Sequence, residues 1–329
     1  METKLRLEIH RIVLQKRIKG KKTENWEQCN FSELLNHFNK EKTEAFPLLW
    51  SKFVEYFQNE FQANSDGDRA ITATNNCRHT FDSKKNIING EVNGGPTNRE
   101  QLIFKRNNSK NSTGTVADDD VVASNFFIKL WLPADYSAGA LMIQSYTNSN
   151  ISELVRVHFR KFVQKYGFKL EISSFYPKAI MEERNKRSSV ISVTYVKDRL
   201  SKDSRKLINP LFAEFDDLKI KIVVSGFRKP VKDFWDIFTR NGKVLNTDID
   251  ALDFKASDDN KVVAKYEDEE GHKTTMNIDH ERIRNFAYYV LPKEIMLDGK
   301  NTYDFTKISS HTNSILRTMQ EEIGYLKKQ

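Results

Sequence analysis

The chain of 329 residues carries 53 Lys/Arg against 45 Asp/Glu, a formal net charge of +8. Its 38% apolar and 11% aromatic content can bury a core and excludes a disordered chain. Two cysteines, Cys29 and Cys77, exclude a disulfide framework. With no apolar run long enough for a bilayer and charges scattered through "METKLRLEIHRIVLQKR", they point to a reducing, cytoplasmic setting without a membrane.

In chain order, residues 4–19 alternate apolar and charged positions (Leu5, Leu7, Ile9) and predict a first strand whose Lys and Arg line one face. "NFSELLNHF" predicts a helix with Asn30 as N-cap and Glu33 completing a capping box. "AFPLLWSKFVEYFQNEF" places Phe46, Leu49, Trp50, Phe53, Phe57 and Phe61 at helical spacing, a stripe read as core. Short strands with Gly turns follow over 78–106, and 107–120 predicts an exposed loop. "VVASNFFIKLWLPADYSAGALMIQSY" predicts two apolar strands around a polar turn. Next come a helix over 151–166, strand "FKLEISSF", helix "PKAIMEERNK" opened by Pro177, and strand "SVISVTYV". Beyond them lie strand "LKIKIVVSG", helix "PVKDFWDIFTR", a hairpin turning near Gly271, and a terminal amphipathic helix in "SHTNSILRTMQEEIGYLKKQ".

Strands mixed with helices, without a strict alternation, predict an α+β fold with a mixed or mainly antiparallel sheet and packed helices. The length allows two domains or one elaborated domain. The expected division is an N-terminal α+β domain at 1–197, a linker at 198–206 in "KDRLSKDSRK", and a C-terminal α+β domain at 207–329.

Charge is unevenly spread. Residues 151–230 hold 18 Lys/Arg and 9 Asp/Glu, a surplus of nine that exceeds the charge of the whole chain. Residues 248–270 hold nine acids and three lysines. Such a map bears on association rather than fold, and it leaves open an acidic segment that neutralises the basic one.

The centre of the basic segment is "ISELVRVHFRKFVQKYGFKL". Asn150 and Glu153 offer capping chemistry, and Gly167 suits the helix exit. Ile151, Val155, Phe159, Phe162, Val163 and Tyr166 share one side, with Leu154 the misfit. Arg156, Arg160, Lys161, Gln164 and Lys165 take the other, with no acid after Glu153. A solvated charged face explains such a pattern by itself. Further basic residues in "ERNKR" (Arg184, Lys186, Arg187), and Phe168, Phe175 and Tyr176, add the features of a phosphate-backbone seat with rings able to stack on bases. Nothing has the spacing of a helix-turn-helix or zinc finger, so binding without sequence preference, to DNA or RNA, is expected.

Other constellations carry less. Cys29, His37, Cys77 and His79 fit no common zinc spacing, and no metal site is expected. "EFDDLKIKI" sets Glu214, Asp216, Asp217 and Lys219 before a strand and is similar to the acid-x-lysine step of restriction-type nucleases. Acid-x-Lys also recurs in "DFK" and "DGK". A nuclease built on Asp216, Asp217 and Lys219 would need Mg²⁺; otherwise no cofactor is expected. Gly-rich phosphate cradles are missing. His158 at the border of the apolar and basic faces reads as a packed histidine or an acid–base group. A third reading is a scaffold whose basic and acidic segments pair with a partner protein or with another copy of the chain.

The run "FFIKLWLPADYSAGALMIQSYTNSNISELVRVHFRKFVQKYGFKLEI" (126–172) resembles a strand–turn–strand–long helix layout in uncharacterised bacterial proteins of anti-phage defence islands. The resemblance implies a bacterial cytosolic protein that works beside partners and senses or binds foreign nucleic acid. It carries no site residues.

Overall fold

In the computed structural model the described residues are 4–18, 25–38, 44–98, 100–103, 112–147, 149–178, 188–197, 200–230, 243–245, 254–255, 260–267, 273–279, 282–284 and 288–325. The alternating N-terminal stretch forms the long strand β1 (Leu5–Arg17), followed by β2 (Trp26–Gln28) and the helices α1 (Phe31–Leu35) and α2 (Ala45–Tyr56). Then come β3 (Gln62–Ala63), β4 (Arg69–Thr72), β5 (His79–Asp82), β6 (Ile87–Pro96), β7 (Gln101–Ile103), β8 (Gly114–Val116), β9 (Ser124–Trp131) and β10 (Ala138–Tyr146). Helix α3 (Ser152–Gln164) and strand β11 (Phe168–Ser174) complete this run. The main sheet is antiparallel in the order β11-β1-β10-β9-β6-β4-β3, so the fold is α+β.

The register assigns the two faces, because residues paired across an antiparallel ladder project from the same side. Ile128 pairs with Ile143 and Gly90, and Ile143 with Glu8. That face is covered by the early helices and α3: a Cβ at Gly90 would overlap the Trp50 ring of α2, and one at Gly94 would crowd Ile151 beside α3. Only glycine fits so close an approach of helix to strand. The opposite face carries Phe127, Lys129 and Trp131. Phe305 packs edge-on to Phe127 at 5.6 Å, and Tyr325 to Trp131 at 4.9 Å. These two rings flank the C-terminal helix, which runs from Phe305 to Glu322.

The aromatic stripe of α2 is core, as its spacing predicts. Phe53 meets Phe162 at 5.3 Å and Phe159 at 5.9 Å, both edge-on, the arrangement favoured by ring quadrupoles. Phe61 is the exception: α2 ends at Tyr56, and Phe61 is 40% exposed beyond it. Nor does Asn30 cap α1 with its side chain; Glu33 pairs with Lys16 at 3.0 Å instead of closing a capping box. The expected loop 107–120 contributes β8, which pairs with β7 from Gln101↔Val116 to Ile103↔Gly114; residues 107–111 lie outside the described residues.

Contacts divide the chain into Met1–Phe175 with Ala287–Gln329, and Tyr176–Phe286. The boundary therefore falls before 198–206, not at it, and the C-terminal helix belongs to the first unit. The second unit holds β12 (Ser189–Lys197), α4 (Lys202–Ile208), β13 (Ile220–Pro230), β14 (Lys243–Leu245), β15 (Phe254–Lys255), β16 (Asn260–Glu267), β17 (Lys273–Asp279) and β18 (Arg282–Arg284). Four of these strands flank or follow β16 in a five-stranded sheet ordered β13-β12-β16-β17-β18. The expected hairpin is β16 with β17, paired from Val262↔Ile278 to Glu267↔Lys273. Part of the expected linker is helix α4, whose cap Ser201 accepts from Ser204 N. The helices expected in "PKAIMEERNK" and "PVKDFWDIFTR" fall largely outside the described residues, as does most of the acidic stretch 248–270.

The first unit resumes with β19 (Tyr289–Val290) and helix α5 (Phe305–Glu322). Both β11 and β19 run antiparallel to β1: His10 pairs with Ser174, and Arg6 with Val290. Four steps back along β1 thus correspond to 116 residues forward in the partner, 112 more than an unbroken strand would need. One strand of the sheet is interrupted by the second unit and resumes with its alternation intact.

Candidate nucleic-acid interface

Helix α3 forms because its apolar positions recur at helical spacing, and Gly167, at φ +85°, ends it. Ile151 occupies the cap position, so the helix starts one residue later than the Asn150 cap expected. The Asn150 carboxamide still serves this end: its oxygen accepts from Ser152 N at 2.7 Å and its nitrogen donates to Glu8 at 2.9 Å. Leu154 is buried with Val155, Phe159, Phe162 and Val163, because the helix is flanked by strands and by α2 and buries a wide arc. Arg156 and Arg160 are half-buried, while Lys161, Gln164 and Lys165 are exposed.

His158 belongs to the packed side. It is 4% exposed and accepts from the Tyr56 hydroxyl at 3.0 Å in the tautomer this contact favours. Burial, reinforced by Lys161, pushes it down to about 4, so it is a neutral core histidine near neutral pH. Lys165 extends over the Tyr56 ring, with Nζ 4.5 Å from the centroid, which orients the ammonium and leaves it facing solvent.

The basic face divides between two grooves. The first, at the N-terminal end of α3, brings Arg156, Lys161 and Arg69 together with Glu8, Asp66, Asp68 and Glu153. Carboxylates are interleaved there. Burial works to raise the Glu8 carboxyl, but hydrogen bonds from His10, Ser152 and Asn150 outweigh it and hold it below the usual range. Arg156 donates back to Ser152 O at 3.3 Å. Four carboxylates thus share this end with three cations, where one uniform cationic face was expected.

The second groove, about 710 Å³, lies at the other end and wraps the edge strand β11, with Arg160 and Gln164 reaching it from α3 and Arg11, Trp26 and Lys169 standing on the sheet face opposite that helix. Arg11, Arg160 and Lys169 line it with a single carboxylate, Glu171, beside Trp26 and Gln164. Arg160 donates to Ile172 O at 3.4 Å. Burial, followed by the neighbouring Arg156, makes its guanidinium somewhat easier to deprotonate, although an arginine remains charged at any physiological pH. Nε of Arg11 is buried without a hydrogen-bond partner. Among the described residues, no ion pair engages Arg11, Arg160, Lys165 or Lys169. Sequence reasoning missed Arg11, Trp26 and Lys169 as site residues. Lys169 was visible within the basic surplus and Arg11 among the cations of the first strand; Trp26 gave no signal.

The remaining candidates do not assemble. Arg184, Lys186 and Arg187 lie outside the described residues. Phe168 is core, 6% exposed against His37, while Phe175 and Tyr176 are half-buried. Glu214, Asp216, Asp217 and Lys219 are all exposed before β13, with Asp216 3.4 Å from Arg205. Among the described residues no three His, Cys, Asp or Glu side chains are grouped to hold a metal. Cys29 and Cys77 are separate buried thiols, and the Cys77 sulfur contacts Asn93 Oδ1 at 3.0 Å. No described helix is long and apolar enough to cross a membrane. The chain matches no protein-family model and no curated protein.

Proposed function

We propose that this protein binds nucleic acid through its phosphate backbone, without reading sequence, at the C-terminal end of α3 and the adjoining β11. The observation that carries this is the second groove, where three cations line one depression with one carboxylate and none of the three is ion-paired among the described residues. A polyanion gains from such cations because each neutralised phosphate releases counterions. Lys165, held over Tyr56 of α2, is a further exposed cation on the helix, outside this groove. Arg156 and Lys161 contribute less, since Glu8, Asp66, Asp68 and Glu153 line the same groove and oppose a polyanion there. The layout of residues 126–172 adds a setting, a cytoplasmic component of a bacterial anti-phage defence system. A Mg²⁺-dependent nuclease is not proposed, because Asp216, Asp217 and Lys219 are exposed and, among the described residues, no three ligand groups are gathered to hold a metal.

An electrophoretic mobility assay against duplex DNA, single-stranded DNA and RNA across a salt series tests the reading. Arg160→Glu and Lys169→Glu should each weaken binding and lower the salt slope by about one, whereas Arg156→Glu should matter less. Affinity unchanged at low salt in the Arg160→Glu, Lys169→Glu double variant would sink the proposal.

A further inference from the structure

The second groove also indicates which form of nucleic acid fits it. Resting on the phosphate reading above, we infer that the groove takes a single strand, with one unpaired base stacked on Trp26.

The register places the relevant side chains together. Trp26 pairs with Arg17 across the β1–β2 ladder, and Lys169 pairs with Gln15. Positions 11, 13, 15 and 17 of β1 project to one face, so Trp26, Arg11 and Lys169 rise from the same side of the sheet. Arg160 reaches the groove from α3 at the β11 edge, and Gln164, one turn on, adds a carboxamide. Cations beside a half-exposed indole form the arrangement that holds a single strand: backbone phosphates on Lys and Arg, a base face on the ring. The Gln164 carboxamide can both donate and accept, as the edge of an unpaired base requires. A duplex keeps its bases stacked inside and offers the indole nothing without the cost of extruding one.

An extended peptide added to the outer edge of β11 is the competing occupant. That edge is disfavoured for strand addition, because Ile172 O already accepts from Arg160 and the ladder would lose that rung. An indole among cations also serves a base better than a peptide ladder.

The test is fluorescence anisotropy of the full chain with short labelled oligothymidylate, oligouridylate and a duplex of equal length. The parent should bind the single strands more tightly than the duplex, and the two single-strand arms tell DNA from RNA. Trp26→Ala should lose roughly ten-fold or more of single-strand affinity, and Trp26→Phe, which keeps a ring, should retain most of it. Single strands should also quench tryptophan emission more in the parent than in Trp26→Phe, since Trp50 and Trp131 are buried and the fourth tryptophan, Trp235, is common to both proteins. Circular dichroism establishes that each variant is folded. If Trp26→Ala binds single strands as tightly as the parent while Arg160→Glu is weakened, stacking is wrong and the phosphate reading stands. Equal affinity for duplex and single strands would likewise overturn stacking and leave the phosphate reading in place. No binding by the parent at low salt, or no loss in Arg160→Glu, Lys169→Glu, overturns both.

Discussion

The Tyr303 hydroxyl donates to Glu91 Oε1 across 2.7 Å, joining residues 212 positions apart. Glu91, 1% exposed in the middle of β6, is also held by Arg78, whose Nη2 lies 2.7 Å from Oε1 and whose backbone N donates to Oε2 at 3.1 Å. Arg78 in turn sits over the Phe305 ring at 5.1 Å. The carboxylate holds the entry of the C-terminal helix against the sheet. Glu91→Ala leaves the Tyr303 hydroxyl buried without its acceptor, while Arg78, 49% exposed, can turn to solvent, so it should destabilise the fold by about 1–3 kcal/mol. Tyr303→Phe removes only a charge-assisted hydrogen bond, and its cost should be roughly 1.5–3 kcal/mol. Urea midpoints of the two single variants and the double variant check this. Strict additivity would show that the tyrosine and the glutamate are not coupled.

Lys129 is the second polar anchor of that helix. Fully buried in β9, it donates to Ser309 O at 3.1 Å and Asn313 Oδ1 at 2.6 Å. Burial, with Lys85 adding and Asp82 opposing, lowers its ammonium to about 7. Between there and the unfolded value of about 10.4, the unfolded chain holds a proton that the native state lacks. Stability from this group therefore rises with pH across that window, by at most about 1.4 kcal/mol per pH unit. Lys129→Met should remove this rise. The check is denaturant unfolding of parent and variant from neutral to alkaline pH. A difference between the two that does not change with pH would refute the assignment.

Much of the first unit could be read from local pattern. The alternation of β1, the β9–β10 hairpin and the two-sided α3 each follow from neighbouring residues, and each is found. Other features depend on partners distant in the chain. Arg156 looked unneutralised because Glu153 is the one acid near it in sequence; Asp66, Asp68 and Glu8 join its groove only through β4, β1 and their loops. Arg11 and Trp26 join Arg160 only because β2 and β11 both pair with the C-terminal half of β1. Periodicity assigns a side chain to a face, not to the neighbours that face will meet.

His158 illustrates how burial decides a role that spacing left open. Its folded value of about 4 lies below the unfolded value of about 6.5. The unfolded state thus binds the extra proton between those limits, and this contribution to stability is lost as pH falls through them. Tyr56 holds the neutral ring through Nδ1. Imidazole resonances followed by NMR should show His158 still neutral at pH values where an exposed histidine is half protonated. A midpoint near the ordinary value would place the ring in solvent and contradict the packing.

The register shift across β11 and β19 makes a stronger demand on the sheet. Phe175 N donates to Ile9 O at the end of β11, and Leu291 N donates to Leu5 O after β19. An unbroken strand would set residue 176 opposite Glu8, the place that Tyr288 holds by the pairing of Tyr289 with Leu7. Deleting residues 176–287, the 112 that separate the two registers, should join Phe175 to Tyr288 without changing which side chains face inward. A one-residue error in the deletion would turn Tyr289 and Val290 to the wrong faces. The correctly joined chain should therefore melt cooperatively, with the far-ultraviolet spectrum of a folded α+β protein, and chains one residue longer or shorter should melt at lower temperature. The comparison needs only circular dichroism on three deletions. If all three melt alike, the two strand segments are not halves of one interrupted strand.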